Sequence, residues 1–212
     1  MLGRTHFFIG TAAALAVLQP QTVPALVAGA GAAAIGGLIS DIDVGTSQAH
    51  RDADKITTAT VAVAVLTILA EYKLNLGIYR RLTSDSSVLR LLAGTAAFLL
   101  ICAYGKQQPH RSFMHSFAAL ALLTACVDII YPDVSAYFAV GFLSHLVLDF
   151  FNRKPEKLFW PWKKGFCLGF CSARGLVNRA LLGCGMVSLA VVLVLSAPAG
   201  RLMAKIMRAI YG

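Results

Sequence analysis

Apolar runs separated by short polar connections recur along the whole chain and limit what it can fold into. Hydrophobic residues make up 58% of the 212 residues, and only 14% are charged. Soluble chains carry about 25% charged residues, so this chain is too apolar for an ordinary soluble domain. The pattern predicts one domain, residues 1–212, folded as an all-α polytopic membrane bundle of about six to seven helices. The predicted runs are 1–18, 23–39, 56–70, 91–104, 117–131, 134–151 and 180–198.

The charge balance is strongly basic, with a net charge of +9 from 19 Lys and Arg against 10 Asp and Glu. In a soluble protein this excess would indicate nucleic-acid binding. Here the basic residues flank apolar runs, as residues that contact anionic lipid head groups do. We therefore expect membrane lipid as a partner and no nucleic acid. The five Cys are scattered and indicate no disulfide framework.

One polar pair lies inside the apolar run 134–151. His145 and Asp149 are four residues apart, so on a helix they share one face. An ionisable side chain at that depth costs a few kcal/mol or more unless something compensates it. A bound cation is one such compensation, because imidazole nitrogen and carboxylate oxygen both bind metals.

The run 23–39 is rich in Gly and Ala at four-residue spacing, which predicts close helix packing. It ends in Ser40-Asp41-Ile42-Asp43. Two carboxylates in one turn can both reach a cation, or Asp41 can bind it while Asp43 orients another ligand or accepts a proton from water. The alternative is a polar turn that only ends the helix.

A second cluster follows the connection 105–109 and reads His110-Arg111-Ser112-Phe-Met-His115-Ser116. Ser112 is predicted to cap the next helix, which places His110 just outside it and His115 in its first turn. Two His with an Arg between them suit a metal site that also holds an anion, since a guanidinium can bind phosphate bidentately. The alternative is a basic cluster at the membrane surface.

The order of the apolar runs predicts that these residues lie together. His6 opens the first run, and taken alone it would be a solvated N-terminal His. If each apolar run crosses the membrane once, His6 and the Asp41, His110 and His145 groups all fall at one face. The loops at that face hold the larger share of the 19 Lys and Arg, which predicts that it is cytoplasmic. The basic, Trp-containing stretch 152–164 is typical of a membrane-interface anchor and could steer an anionic lipid head group.

These motifs together resemble a known family. Thr5-His6, Asp41-Ile-Asp43, His110-Arg-Ser-Phe-Met-His115-Ser116, Ser144-His145-Leu-Val-Leu-Asp149 and Trp160-Pro161 occur in order from residue 5 to about residue 162. They resemble the YdjM family of bacterial membrane-bound metal-dependent hydrolases, some of them LexA-regulated. That family is in turn similar to zinc-dependent phospholipase C. Met114 and Asn152 depart from the family pattern, which has Thr at or near both positions.

The resemblance implies a multi-pass protein of the bacterial inner membrane that hydrolyses a phosphoester or lipid phosphate with metal-activated water. As metal ligands it implies His6, Asp41, His110, His115, His145 and Asp149, with Asp43 and Arg111 close by. We predict Asp43 and Arg111 as the catalytic residues, Asp43 to orient a ligand or accept the proton of water and Arg111 to hold the developing charge. Mixed His and Asp ligation suits Zn²⁺, with Mn²⁺ as an alternative and two or more ions allowed. The competing hypothesis is a non-enzymatic membrane protein, either an ion transporter or a scaffold.

Overall fold

The computed structural model describes residues 2–45, 86–172 and 175–211. The predicted run 56–70 and the preceding loop with His50 lie outside these ranges. Within them the chain is all-helical, as predicted, with seven α-helices and two 3-10 turns, Ser40–Asp43 and Phe113–His115. The helices are α1 (Gly3–Leu18), α2 (Val23–Ile39), α3 (Ser86–Lys106), α4 (Phe117–Ile130), α5 (Pro132–Phe150), α6 (Leu176–Leu195) and α7 (Ala197–Tyr211).

Several of the described helices suit a membrane. Four segments are long and apolar enough to cross one: Val23–Asp43, Ser87–Lys106, Pro132–Phe150 and Leu176–Leu195. The apolar helices α1 and α4 are shorter. Large apolar side chains such as Leu100 and Val194 point outward and are 71% and 72% exposed. An outer surface of this kind matches lipid rather than water.

The start of α4 differs from the prediction. Ser116, not Ser112, caps this helix, and its hydroxyl accepts the Ala119 N–H at 3.2 Å. The His115 N–H instead bonds to the Ser112 carbonyl at 3.1 Å, which makes residues 113–115 a 3-10 turn. The prediction of a Ser112 cap is therefore wrong. The 3-10 turn Phe113–His115 lies between Ser112 and the helix, so α4 begins only at Phe117. His115 lies before α4 rather than in its first turn.

Small residues let α1, α2 and α5 touch backbone to backbone. Gly29, Ala33 and Gly37 are buried along one face of α2, as the four-residue spacing predicts. A Cβ added at Gly141 of α5 would lie 2.9 Å from the Ala33 carbonyl carbon, and one at Gly37 would lie 3.0 Å from the His6 carbonyl oxygen. The absence of side chains at these glycines is what brings the three helices together.

Five helix ends meet at one end of the bundle, which we call the site end. Three contacts define it. Thr5 at the start of α1 bonds to Asn178 of α6, and His6 of α1 contacts Asp149 at the end of α5. Asp43, in the turn after α2, contacts His110 in the chain before α4. An apolar cluster packs beneath it, formed by Ile42, Cys102, Phe113, Met114, Ala119, Leu123, Phe138, Phe142 and Leu146. The site end therefore has a closed, apolar floor.

The segment after α5, residues 151–172, folds back on itself. Backbone bonds join Arg153 to Cys171 at 3.2 Å, and Glu156 and Phe166 exchange two bonds of 2.9 Å. The segment is tied to the site end because the Lys157 N–H donates to the Arg111 carbonyl at 3.0 Å. It forms a folded wall over the end of α5.

Candidate metal centre

All six residues predicted as ligands lie together at the site end. They fall into three groups whose candidate ligand atoms are within 4.8 Å of one another: His6, Asp41 and His145; Asp41, His110 and His115; His115, His145 and Asp149. They come from α1, the two 3-10 turns and their flanks, and the last turns of α5. The predicted juxtaposition is observed, and the role of these residues as ligands stays a prediction.

The spacing of the donor atoms suits a shared cation. His145 Nε2 lies 3.3 Å from His115 Nε2, and His6 Nε2 lies 3.3 Å from Asp149 Oδ1. His145 Nε2 and His115 Nε2 are each 3.8 Å from Asp41 Oδ1. Zinc–nitrogen bonds of about 2.0–2.1 Å in tetrahedral geometry place neighbouring donors about 3.3 Å apart. Only a small contraction would let the donor atoms of one such group bind an ion.

A hydrogen bond to the backbone of α2 sets the orientation of the His145 ring. Its Nδ1 lies 2.8 Å from the carbonyl oxygen of Gly37, in the last turn of α2. A carbonyl only accepts, so Nδ1 carries the proton and Nε2 presents a lone pair to the centre. This arrangement, in which the outer ring nitrogen donates to a carbonyl, is typical of metal-binding His.

Asp43 orients the His residues before α4. Its Oδ1 lies 2.9 Å from His110 Nδ1, and its Oδ2 accepts the Arg111 N–H at 3.2 Å. The same oxygen is 3.5 Å from His115 Nδ1. His110 is therefore held through Nδ1, and His115 Nδ1 faces Asp43 without a hydrogen bond among the described residues, so both rings can turn Nε2 toward the centre. We predicted Asp43 as a catalytic residue, and its fully buried side chain lies where it positions ligands.

Arg111 holds the centre from another side. Its guanidinium forms a short ion pair with Asp149 and donates from Nη1 to the Lys154 carbonyl at 2.7 Å. Its backbone has φ 63°, a conformation that residues other than Gly rarely adopt. Bonds to Asp43 and from Lys157 fix that conformation on both sides. Arg111 was predicted to bind phosphate, but its two terminal nitrogens already contact protein oxygens.

Unsatisfied buried groups provide a test of whether a cation fits. His6 is fully buried and stacks on His145 with ring centroids 3.8 Å apart. Among the described residues its Nδ1 has no hydrogen-bond partner, and the 3.3 Å contact of its Nε2 with Asp149 Oδ1 lacks hydrogen-bond geometry. A buried polar group without a partner costs about 1–3 kcal/mol. A divalent cation would satisfy it, and four imidazoles with two carboxylates are ligands that Zn²⁺ and Mn²⁺ accept. The residues present therefore fit a metal centre.

A cavity of about 350 Å³ opens beside the centre. The inner wall is formed by the predicted site residues Asp41, His110, Arg111 and Asp149, and the outer wall is formed by residues that follow α5. The lining residues are Asp41, His110, Arg111, Asp149, Asn152, Arg153, Lys154 and Ser172. Ser172 could not be predicted from the sequence, because an isolated Ser in a loop has no distinguishing neighbours.

Glu156 was also missed from the sequence. It is fully buried, and neither carboxylate oxygen has a hydrogen-bond partner among the described residues. Burial, and to a lesser degree the charge of Asp149, raises the pKa of Glu156 from 4.5 to about 8, although the Arg111 guanidinium opposes this shift. A Glu between Pro and Lys in a basic loop is typical of a solvated residue, so its burial follows only from the fold.

Comparison with known proteins agrees with the motifs. A family model described as YdjM inner membrane protein matches residues 1–210. No curated protein and no solved structure gives a significant match. The predicted resemblance is confirmed at the level of the family, and the similarity to zinc-dependent phospholipase C stays a prediction.

Proposed function

This chain belongs to the YdjM family of inner membrane proteins, and we propose that it is a membrane-bound, metal-dependent hydrolase of phosphoesters. One observation carries the proposal. Imidazole nitrogens of His115 and His145 face each other at 3.3 Å, while the outer nitrogen of His145 is held by the Gly37 carbonyl. His145 Nε2 therefore presents a lone pair, and it lies within 3.8 Å of both His115 Nε2 and Asp41 Oδ1, a spacing that suits ligands of one cation.

The residues that would hold the metal are the three buried His together with Asp41, Asp149 and the half-exposed His110. A divalent cation at this place supplies a Lewis acid for a phosphoryl oxygen and lowers the pKa of water to about 7. Zn²⁺ is the proposed ion and Mn²⁺ the alternative.

The chain's own residues do the positioning. Asp43 fixes His110 and holds the N–H of Arg111, and Arg111 fixes Asp149. The apolar cluster beneath the site end keeps water to the cavity side, which strengthens the electrostatic interactions within the site. We place the centre at the cytoplasmic face, because the larger share of basic residues lies in the loops on that side.

Elemental analysis of the purified protein tests the metal, and hydrolysis of phospholipid and isoprenoid-phosphate esters tests the reaction. We expect bound Zn²⁺ or Mn²⁺, and we expect His145→Ala and Asp149→Asn each to lower metal content and hydrolysis together. Asp128→Asn is the matched control, since Asp128 is a carboxylate that contacts Ser135 at 2.8 Å, near the start of α5 and far from its last turn. Full hydrolysis by a metal-free preparation would refute the proposal.

The transporter hypothesis requires polar groups along the whole path across a membrane. In the part of the chain that the structure describes, the buried ionisable residues are His6, Arg111, His115, His145, Asp149 and Glu156, and all lie at the site end. This distribution supports a pocket. Metal-dependent ion flux into liposomes, without hydrolysis, would reverse that choice.

A further inference from the structure

The cavity beside the metal centre has two walls of opposite charge. Asp41 and Asp149 contribute carboxylates to the inner wall, and Arg153 and Lys154 contribute cations to the outer wall. A ligand in this cavity would contact the metal centre on one side and the two basic residues on the other. The cavity, at about 350 Å³, is large enough for a phosphate group with part of its ester substituent.

The basic residues of the outer wall form no ion pair within the described ranges, whereas the charge of Arg111 is already paired with Asp149. Arg111 already binds Asp149 and the Lys154 carbonyl. The side chains of Arg153 and Lys154 are exposed, and neither forms an ion pair with an acidic residue within the described ranges. Two unpaired cations that line one cavity favour an anionic ligand.

The backbone fixes both residues relative to the metal centre. The Asn152 N–H donates to the Asp149 carbonyl at 2.9 Å, and the Arg153 N–H contacts the Cys171 carbonyl at 3.2 Å. The Lys154 carbonyl accepts from Arg111 at 2.7 Å. Asp149 and the two basic residues therefore belong to one hydrogen-bonded unit, which fixes the backbone positions from which both basic side chains extend.

We propose that Arg153 and Lys154 form a phosphate-binding subsite that holds the substrate's phosphate group against the metal centre. The inference rests on the proposed function and names the group that the site recognises. Arg can bind two phosphate oxygens in its plane, and Lys adds a point charge. Without the cation, Asp41 and Asp149 repel a phosphate at the inner wall, so binding at the subsite requires the metal.

The rim of the cavity bears on whether the phosphate comes from a lipid or from a soluble ester. Leu168 and Phe170 are 44% and 72% exposed beside the outer wall. The Leu168 N–H donates to the Phe150 carbonyl at 2.8 Å, so this apolar rim is anchored to the end of α5. Apolar side chains next to a basic cavity suit an amphiphile whose tail stays in the membrane.

The test measures binding of inorganic phosphate to the zinc-loaded full-length protein by titration calorimetry, with metal content measured in parallel. Arg153→Ala/Lys154→Ala should retain its metal and lose affinity for phosphate by about tenfold or more, since two charge-assisted contacts are removed. Arg201→Ala/Lys205→Ala removes the same two residue types from the exposed face of α7 and should bind phosphate as the parent protein does. The apo protein should bind weakly.

Wild-type affinity in the Arg153/Lys154 variant, or an equal loss in the α7 control, would overturn the subsite. Phosphate binding that depends on Arg153 and Lys154 without any ester hydrolysis would uphold the subsite and refute the hydrolase. A second arm compares inorganic phosphate with a monoacyl phosphate in nanodiscs. If Leu168→Ser/Phe170→Ser loses affinity for the monoacyl phosphate and keeps its affinity for inorganic phosphate, the source is a lipid. If this variant binds both ligands as the parent protein does, the source is a soluble ester.

Discussion

Replacing Gly141 by Ala should separate the helices that carry the metal centre. The added Cβ would lie 2.9 Å from the carbonyl carbon and the Cα of Ala33, and closer still to the carbonyl oxygen. Ordinary contacts begin at 3.4 Å, so α5 must move away from α2 by about 0.5 Å or more. The obstacle is backbone, and no side-chain rotation can relieve it.

Such overpacking costs about 1–3 kcal/mol of unfolding free energy. The displacement also acts on the centre, because His145 follows Gly141 by one turn and its Nδ1 bonds to Gly37 on the opposing helix. A shift of this size lengthens the 2.8 Å bond to about 3.3 Å or more, past the usual range of N–H···O distances, and weakens it. Loss of an outer-shell bond of this kind lowers metal affinity by about 10–100-fold.

Thermal unfolding in detergent and metal titration measure the two effects. Gly31→Ala is the control, because Gly31 lies in α2 with nothing within 4 Å of its added Cβ. That substitution should leave metal affinity unchanged and gain up to about 1 kcal/mol from helix propensity. If Gly141→Ala bound metal as tightly as Gly31→Ala, close packing of α2 and α5 would not be what positions His145.

Three further predictions concern pH, a buried hydrogen bond and metal removal. Glu156 has a folded pKa of about 8, above its ordinary 4.5, so the folded state is protonated where the unfolded state is not. Stability should therefore fall as pH rises from about 5 to 8, by up to about 5 kcal/mol, and Glu156→Gln should flatten that fall in chemical unfolding. Asn178→Ala leaves the buried Thr5 hydroxyl without its 3.0 Å acceptor and should cost about 1–3 kcal/mol, and Thr5→Val should remove most of that cost in a double-mutant cycle. A chelator should lower the melting temperature of the parent protein by several degrees and leave His145→Ala unchanged, and equal shifts in both would contradict a metal bound through His145.

The part of the site built on helix periodicity could be predicted from the sequence. His145 and Asp149 share a face because they are four apart, and the Gly29–Ala33–Gly37 spacing predicts the face of α2 that packs closely. Because each helix reverses direction, the topology also predicts that His6 lies near them. Helix periodicity depends only on residues that are close in the chain, so it can be recognised in a single sequence.

The remainder depends on which atoms meet across distant segments. The sequence does not distinguish Ser112 from Ser116 as a helix cap, because both precede apolar residues. It assigned Arg111 to the substrate, whereas the fold places Arg111 against Asp149. Glu156 is buried by a loop that pairs with Phe166, and irregular backbone pairing leaves no periodic trace.

The shortness of two helices has a consequence for the lipid around them. α1 has 16 residues and α4 has 14, so they rise about 24 Å and 21 Å. The hydrocarbon layer of a typical bilayer is about 30 Å thick. A bilayer that surrounds both helices thins beside them, and its head groups sink toward the cavity mouth. The length of the lipid acyl chains would then determine how far the site lies from the membrane surface. Lipids with short acyl chains form thinner bilayers, which would fit the lengths of α1 and α4 best.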